Sequence, residues 1–246
     1  MTNKCEICGL LVSRFSLNDH LRGITDRAYR GKGAWLLTLN TEMIARCARD
    51  PEYLSLLKEA DIITADGMPL VWASSIKRSG AAIHGRTTGV DLVDGFLRLP
   101  QPPSYAIIGG INPAATVALY GNAAQQSCRY LFDGKVDLSD AQVKQFVIAL
   151  REQRVRLVFL ALNVPKGDYL AFTIKSSMPE VVIMSIGGSF EILGPRGSRA
   201  PKWMQRGGLE WFYRLALDPG RLWRRYLLNY PRGIWFLVKD CLVSRK

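Results

Sequence analysis

Residues 61–69 read Asp-Ile-Ile-Thr-Ala-Asp-Gly-Met-Pro. The apolar run from Asp61 to Asp66 has the length and the branched composition of a buried β-strand. Gly67, Met68 and Pro69 follow at once, which predicts a turn and a helix that starts behind the strand's carboxyl end. A carboxylate in this place suits a general base, but position alone favours the commoner role of Asp66 as a helix N-cap.

Similar apolar runs recur along the chain and alternate with segments that carry helix-start signals. The runs are Trp35–Asn40, Tyr105–Gly110, Arg156–Leu162 and Val181–Gly187, and the start signals are Asp50 before Pro51, Asn112 before Pro113, and Ser139 with Gln142. This alternation predicts an α/β fold with a Rossmann-like, mostly parallel sheet and helices on both faces. Near the N-terminus, residues 6–12 are interpreted as one further strand, followed by a helix capped by Ser16.

Ligands of such sheets bind beyond the carboxyl ends of the strands, so polar and glycine-rich strand ends are the candidate site. These ends are Thr38 and Asn40, Asp66 and Gly67, Gly109 and Gly110, Asn163 to Asp168, and Gly187 to Ser189. The glycine pair suits a phosphate at a helix start, although neither the full dinucleotide fingerprint nor a P-loop is present.

Charge and aromatic residues are concentrated in the last fifth of the chain. The 246 residues are 48% hydrophobic and carry 33 Lys and Arg against 21 Asp and Glu, a net charge of +12 that favours anionic partners. Twelve of these basic residues, three acidic residues and four of the six tryptophans lie in residues 196–246. We therefore predict a Rossmann-like domain over residues 1–195 and a basic, aromatic, helical appendage over residues 196–246.

Three interpretations of the appendage remain open at this point. Arg221, Arg224 and Arg225 lie one turn apart among Leu, Trp and Tyr, which suits an amphipathic element on an anionic membrane. The same residue types suit single-stranded nucleic acid, whose bases stack on aromatic rings. A packed helical layer with a solvated basic face is the third interpretation.

Several other classes of protein and site are disfavoured. Five cysteines at irregular spacing fit a reducing compartment, and the longest uncharged stretch, Leu99 to Cys128, is interrupted by four prolines and cannot span a membrane as one helix. Neither a secretory signal nor a serine-hydrolase elbow is recognisable. Cys5, Cys8 and His20 imitate half a zinc finger, but the second histidine and any Asp-x-Asp pair are missing, so we expect no metal and no cofactor.

Several ordered stretches resemble the WecG/TagA/CpsF family of bacterial glycosyltransferases over nearly the whole chain. These stretches are Thr38–Asn40, Ala65–Trp72, Gly85–Leu92, Arg199–Arg206 and Gly208–Trp211. The resemblance implies an inverting, metal-independent enzyme. Such an enzyme moves a sugar from a UDP donor onto a polyprenyl-pyrophosphate-linked sugar at the cytoplasmic face of the membrane, during synthesis of a surface polysaccharide.

The resemblance also implies residue roles. The catalytic aspartate falls on Asp66, with Thr38 and Asn40 as its polar strand-end partners. The resemblance implies that Arg86, which lies ahead of the family's Gly-x-Asp with Asp91, lines the same pocket. The predicted donor- or substrate-binding residues also include Gly109, Gly110, Asn163, Lys166 and Gly187 at the strand ends. The arginines implied to meet the diphosphate or the membrane are Arg214, Arg221, Arg224 and Arg225.

Two departures from the family pattern bear on substrate identity. The usual Gly-x-Pro-Lys-Gln-Glu is replaced by residues 163–168, Asn-Val-Pro-Lys-Gly-Asp, and the usual Gly-Ala-Phe-Asp by residues 188–191, Gly-Ser-Phe-Glu. The expected partners are a UDP-sugar, a polyprenyl-pyrophosphate-linked acceptor and an anionic membrane surface, without nucleic acid and with a homo-oligomer left open. The rival functions are a non-catalytic membrane or nucleic-acid-binding module and a UDP-sugar hydrolase.

Overall fold

The computed structural model describes residues 3–77 and 82–243. Its centre is an eight-stranded sheet in the order β1-β2-β4-β3-β8-β7-β5-β6. All neighbouring pairs are parallel except the antiparallel pair β1–β2. The strands are β1 Lys4–Ile7, β2 Leu10–Ser13, β3 Ala34–Leu39, β4 Ile62–Ala65, β5 Tyr105–Gly109, β6 Cys128–Phe132, β7 Leu157–Ala161 and β8 Val182–Ser185.

Helices lie on both faces of this sheet. They continue into residues 196–243, the C-terminal segment. They are α1 Leu17–Arg30, α2 Thr41–Cys47, α3 Pro51–Lys58, α4 Met68–Ile76, α5 Gly89–Leu97, α6 Pro113–Ala118, α7 Asn122–Ser127, α8 Asp140–Glu152, α9 Lys166–Ser177, α10 Ser189–Leu193, α11 Lys202–Arg206, α12 Glu210–Leu217, α13 Pro219–Trp223 and α14 Tyr230–Val243, with a π-helical turn at Arg224–Asn229 between the last two.

The predicted α/β class and all five predicted core strands are confirmed, with ends that differ by one or two residues. Side chains alternate between two apolar cores, as the period of a strand requires: Trp35 and Leu37 face one core and Leu36 the other. Because β4, β3, β8 and β7 are neighbours, their carboxyl ends lie side by side at one edge of the sheet. This edge is where a shared site forms.

One strand prediction was wrong, and one strand was not predicted. The stretch 6–12 is not one strand, because Cys8 and Gly9 adopt positive φ angles of 49° and 78° and turn the chain into the β1–β2 hairpin. The edge strand β6 was not predicted. Arg129 interrupts its apolar pattern, and its side chains are only half-buried or exposed.

The helix starts follow the predicted signals, with one difference of detail. The side chains of Ser16, Asp50 and Ser139 each accept a hydrogen bond from a backbone N–H of their helix. Asn112 precedes α6 as predicted but makes no capping bond, because it sits at a positive φ of 49°. Gln142 accepts from the Asp137 N–H, so the predicted capping box is only half formed.

The last helix, α14, packs directly against α2 and α4. Leu237 and Cys241 on its inner face belong to the buried core. At Gly233 the helix approaches α2 so closely that an added Cβ would lie 2.1 Å from the Thr41 carbonyl oxygen. Only glycine allows this contact, since a backbone oxygen cannot move out of the way.

The outer face of α14 is also apolar but remains uncovered. Ile234, Trp235, Val238 and Leu242 are exposed there, at helical spacing. Within the parts of the chain that the structure describes, the helices are too short or too polar to cross a bilayer.

Replacing Gly233 by alanine tests the α2–α14 contact. We expect Gly233→Ala to lower the free energy of unfolding by about 1–3 kcal/mol, because the new methyl group has to push α14 away from α2. Urea titration followed by circular dichroism measures the change.

The matched control is Gly23→Ala, within α1, where an added Cβ meets no atom within 4 Å. Alanine's higher helix propensity predicts a gain of about 0.5–1 kcal/mol at that position. Equal effects of the two substitutions would contradict the close contact.

Candidate active site

A cavity of about 640 Å³ opens at the carboxyl ends of β4, β3, β8 and β7. Its lining includes Thr38 and Asn40 at the end of β3, Asp66 after β4, Asn163 after β7 and Gly187 after β8. The C-terminal segment supplies the opposite wall through Arg214, Leu217, Asp218, Arg221, Leu222, Arg225 and Tyr226. The structure thus brings together the strand ends and much of the predicted arginine group.

Asp66 does not cap the helix that follows it. Its backbone N–H donates to the Leu39 carbonyl at 2.7 Å, which extends the β3–β4 pairing by one residue. The N-cap of α4 is Gly67, and no side chain caps that helix. Among the described residues, none donates a hydrogen bond to the Asp66 carboxylate, so this group is available to a ligand.

The surroundings of Asp66 change its acidity. Burial raises the pKa of Asp66 to about 6, although Arg214 and, more weakly, Arg86 and Arg225 act in the opposite direction. A carboxyl group with this pKa is still mostly ionised at pH 7 and is a stronger base than an ordinary aspartate. These properties fit a group that accepts a proton during a reaction.

Thr38 and Asn40 are held by contacts of their own. The Thr38 hydroxyl donates to the Ser185 carbonyl of β8 at 2.9 Å. The Asn40 side-chain oxygen accepts from the Met43 N–H at 3.1 Å and caps α2. The amide N–H groups of Asn40 have no acceptor among the described residues, which leaves them for a ligand in the cavity.

Asp168 is a second carboxylate on the cavity wall. The Tyr53 hydroxyl donates to it at 2.6 Å, and the side chain is almost completely buried. Burial raises the pKa of Asp168 to about 6, while the Tyr53 hydrogen bond lowers it. Because the Asp168 carboxylate already accepts a hydrogen bond and is almost completely buried, Asp66 is the better candidate for a base.

Arg86 and Asp91, which were predicted to bind substrate, hold the C-terminal segment instead of lining the cavity. Arg86 donates to Glu210 at 2.6 Å and to Gln205 at 2.7 Å. Asp91 accepts from Arg199 at 2.6 Å. Direct donor contact by either residue stays a prediction.

Four further predicted residues also lie outside the cavity wall. Gly109 and Gly110 have φ angles of +86° and +88°, which favour glycine, and a Cβ on Gly109 would lie 2.5 Å from a Leu162 methyl carbon. Backbone conformation and close packing therefore account for glycine at these two positions. Lys166 donates to the Val136 carbonyl. Arg224 is exposed beside the Trp223 ring.

Three of the four arginines predicted in the C-terminal segment line the cavity, and each of the three is paired with a carboxylate. Arg214 Nη2 lies 3.1 Å from Glu210, and Arg225 Nε lies 3.0 Å from Glu42. Arg221 binds Glu191 through Nη1 and Nη2 and Asp218 through Nε. The pairing of these arginines with carboxylates was not predicted from the sequence. Tyr226 and Arg196, which also line the cavity, were not predicted as site residues either.

The half zinc-finger spacing near the N-terminus leads to unrelated contacts. The Cys8 backbone N–H donates to Asp240, and His20 Nε2 lies 2.8 Å from the Ser13 hydroxyl. Among residues 3–77 and 82–243, no group of three or more His, Cys, Asp or Glu side chains is arranged to hold a metal ion.

The fold and cavity define a Rossmann-like α/β protein whose strand-end site combines a free carboxylate with arginines. The chain matches the model of the "Glycosyl transferase WecG/TagA/CpsF family" over residues 5–246. It therefore belongs to the WecG/TagA/CpsF family and is a glycosyltransferase.

Named relatives cover most of this chain. A Bacillus spizizenii protein is 28% identical over 228 residues, which span 88% of this chain and 83% of the relative. A Staphylococcus aureus protein is 26% identical over 211 residues, spanning 83% of this chain and 80% of the relative. Both relatives are named N-acetylglucosaminyldiphosphoundecaprenol N-acetyl-beta-D-mannosaminyltransferase.

The carboxylate of Asp66, which has no hydrogen-bond donor among the described residues, should destabilise the folded protein at neutral pH. A folded-state pKa raised above the unfolded value means that the folded state holds its proton more tightly, so this group's contribution to stability falls as the pH rises from about 4 to 6. Asp66→Asn should therefore raise the free energy of unfolding by roughly 1–3 kcal/mol at pH 7.5 and by much less at pH 4.

Asp137→Asn is the control of opposite sign. Hydrogen bonds from Ser139 lower the pKa of Asp137, so its removal should reduce stability at pH 7.5. Chemical unfolding at the two pH values measures both variants. An Asp66→Asn protein that is less stable than wild type at pH 7.5 would show that the carboxylate is well paired in solution.

Proposed function

We propose that this glycosyltransferase moves a sugar from a UDP donor onto a polyprenyl-diphosphate-linked sugar, with inversion at the anomeric carbon and without a metal ion. The observation that carries the proposal is the unpartnered Asp66 carboxylate, with its pKa raised to about 6, in a cavity that also contains arginines. The relatives' names, which specify a sugar acceptor on diphosphoundecaprenol, support the acceptor class.

In the proposed reaction, Asp66 takes the proton of the acceptor hydroxyl. The oxygen attacks the anomeric carbon from the face opposite UDP, the carbon–oxygen bond to UDP breaks, and UDP leaves with the electron pair. One such displacement inverts the configuration. Guanidinium groups stabilise the negative charge that develops on the diphosphate.

The other predicted residues have supporting roles in this proposal. The free Asn40 amide and the Asn163 and Gly187 strand ends bind the sugars and the nucleotide from the cavity floor. Arg86 and Asp91 act indirectly, because their ion pairs with Glu210 and Arg199 fix the C-terminal segment over the cavity. Arg214, Arg221 and Arg225 face the departing diphosphate.

A turnover assay tests the function directly. Purified protein is incubated with a panel of UDP-sugars, with and without a short-chain polyprenyl-diphosphate N-acetylglucosamine, and products are identified by mass. We expect UDP release that depends on the acceptor, and Asp66→Asn should lower the rate by about 10²–10⁴ because its amide cannot accept the proton. Release without acceptor would indicate a hydrolase. A folded Asp66→Asn variant within a few-fold of wild type would reject this mechanism.

Metal independence has a separate test. We expect turnover to survive excess EDTA, because arginines in the cavity can neutralise the diphosphate in place of a cation. The measurement compares rates before chelation, after chelation and after added Mg²⁺ or Mn²⁺. Activity that disappears in EDTA and returns with either cation would contradict the proposed role of the arginines.

The C-terminal segment is also proposed to rest on the inner face of the cell membrane. Among the described residues of this segment, twelve large apolar side chains are exposed, of which Leu217 also lines the cavity: Trp203, Leu209, Phe212, Leu217, Trp223, Leu227, Leu228, Ile234, Trp235, Val238, Leu242 and Val243. Basic residues are interspersed with them, and each adds about 1 kcal/mol near an anionic surface. A merely packed helical layer would bury such residues.

Paired substitutions separate membrane contact from general surface hydrophobicity. Leu227→Gln with Leu228→Gln should reduce sedimentation with anionic vesicles by roughly tenfold or more, because two exposed leucines lose their apolar contact with lipid. Leu119→Gln with Ile148→Gln, at exposed positions outside this segment, should leave sedimentation unchanged. Equal sedimentation of both double variants would contradict the proposed surface.

A further inference from the structure

The lining of the cavity does not carry a net positive charge. Its lining, counted over the described residues, contains four arginines, Arg196, Arg214, Arg221 and Arg225, and five carboxylates, Glu42, Asp66, Asp168, Glu191 and Asp218. A diphosphate carries at least two negative charges, so it has to compete with these carboxylates for the arginines. The contacts of each arginine show where that competition is strongest.

Arg221 is the most completely engaged of the four. Its Nη2 and Nη1 atoms donate to the two oxygens of Glu191 at 2.7 and 3.2 Å, and its Nε donates to Asp218 at 2.8 Å. One positive charge is thus shared between two negative charges. By contrast, Arg196 has no ion-pair or hydrogen-bond partner among the described residues.

Glu191 and Arg221 are 30 residues apart in sequence and belong to different helices. Glu191 lies in α10, directly after the β8 strand end, whereas Arg221 lies in α13 of the C-terminal segment. Their bidentate pair therefore ties that segment across the cavity. About half of the Arg221 side chain is exposed, so the guanidinium can reorient without disturbing the core.

We propose that Glu191 is an internal counter-ion that the donor's diphosphate must displace from Arg221, and that Glu191 thereby sets the affinity for the nucleotide. This inference rests on the proposed UDP donor. When UDP binds, the two oxygens of Glu191 are exchanged for phosphate oxygens, which present the same bidentate geometry with more charge. Glu191 then turns to solvent, from which a third of its side chain is already accessible.

The test is a double-mutant cycle on ligand binding, measured by calorimetry with UDP and with uridine, which has no phosphate. We expect Glu191→Gln to tighten UDP binding about five- to tenfold and to leave uridine binding unchanged, because only the phosphates compete with the carboxylate. Glu191→Asp, which retains the charge, should remain close to wild type. Glu152→Gln, an exposed substitution outside the cavity with the same change in net charge, should have no effect.

The cycle is completed with Arg221→Gln and the double variant. If Glu191 acts through Arg221, the tightening caused by Glu191→Gln disappears in the Arg221→Gln background. Tightening that persists there would overturn the inference in favour of simple repulsion between Glu191 and phosphate. Weaker binding of both UDP and uridine by Glu191→Gln would overturn it in favour of nucleoside contact.

Failure of the proposed function gives a different result. A wild-type protein that binds UDP no more tightly than uridine would contradict the diphosphate donor itself, and the counter-ion role of Glu191 with it. Wild-type preference for UDP together with an unchanged Glu191→Gln affinity would leave the donor class intact and overturn only the role of Glu191.

Discussion

The contact between α14 and α2 decides where the C-terminal segment lies. At Gly233 the α14 backbone approaches the Thr41 carbonyl more closely than any side chain would allow. At the other end of the same helix, the buried side chain of Lys77 forms an ion pair at 2.6 Å with the half-buried Asp240. Loss of Asp240 would leave the buried Lys77 ammonium without its counter-ion, which is strongly destabilising. These two contacts fix the last helix on the domain core.

Fixing α14 also constrains the residues before it in the sequence. Tyr230, at its start, lies beside Gly67 and packs with Tyr226 and Trp211 in an aromatic cluster. The chain that leads into this cluster carries Arg214, Arg221 and Arg225 over the strand ends. The Asp66 carboxylate therefore meets Arg214 and Arg225 because the last helix is packed on the sheet domain. The geometry of the candidate site and the stability of the fold depend on the same packing.

The sequence predicted the sheet well, because five apolar runs of strand length leave few arrangements other than a parallel α/β core. It failed where local signals are weak or conflict with tertiary structure. The β1–β2 hairpin depends on positive φ angles at Cys8 and Gly9, and β6 is an edge strand without a continuous apolar run. Residues 196–246 have the composition of an appendage, yet Leu237 and Cys241 lie in the core, since composition does not show which face of a helix is covered.

The site was predictable in part for the same reasons. A carboxylate at a strand end could be located, but capping by Asp66 could be excluded only from the observed hydrogen bonds of α4. The pairing of Arg225 with Glu42 and of Arg221 with Glu191 joins distant parts of the chain, so no local pattern indicates it. We propose that the Asp66 carboxylate acts as the base. The most direct test of this role is the pH dependence of kcat/KM, measured at donor and acceptor concentrations far below saturation, because this rate constant reports the ionisation of the free enzyme. If Asp66 is the base, this rate constant rises tenfold per pH unit up to about pH 6 and is level above it, whereas a value that does not fall below pH 6 would contradict the role of Asp66.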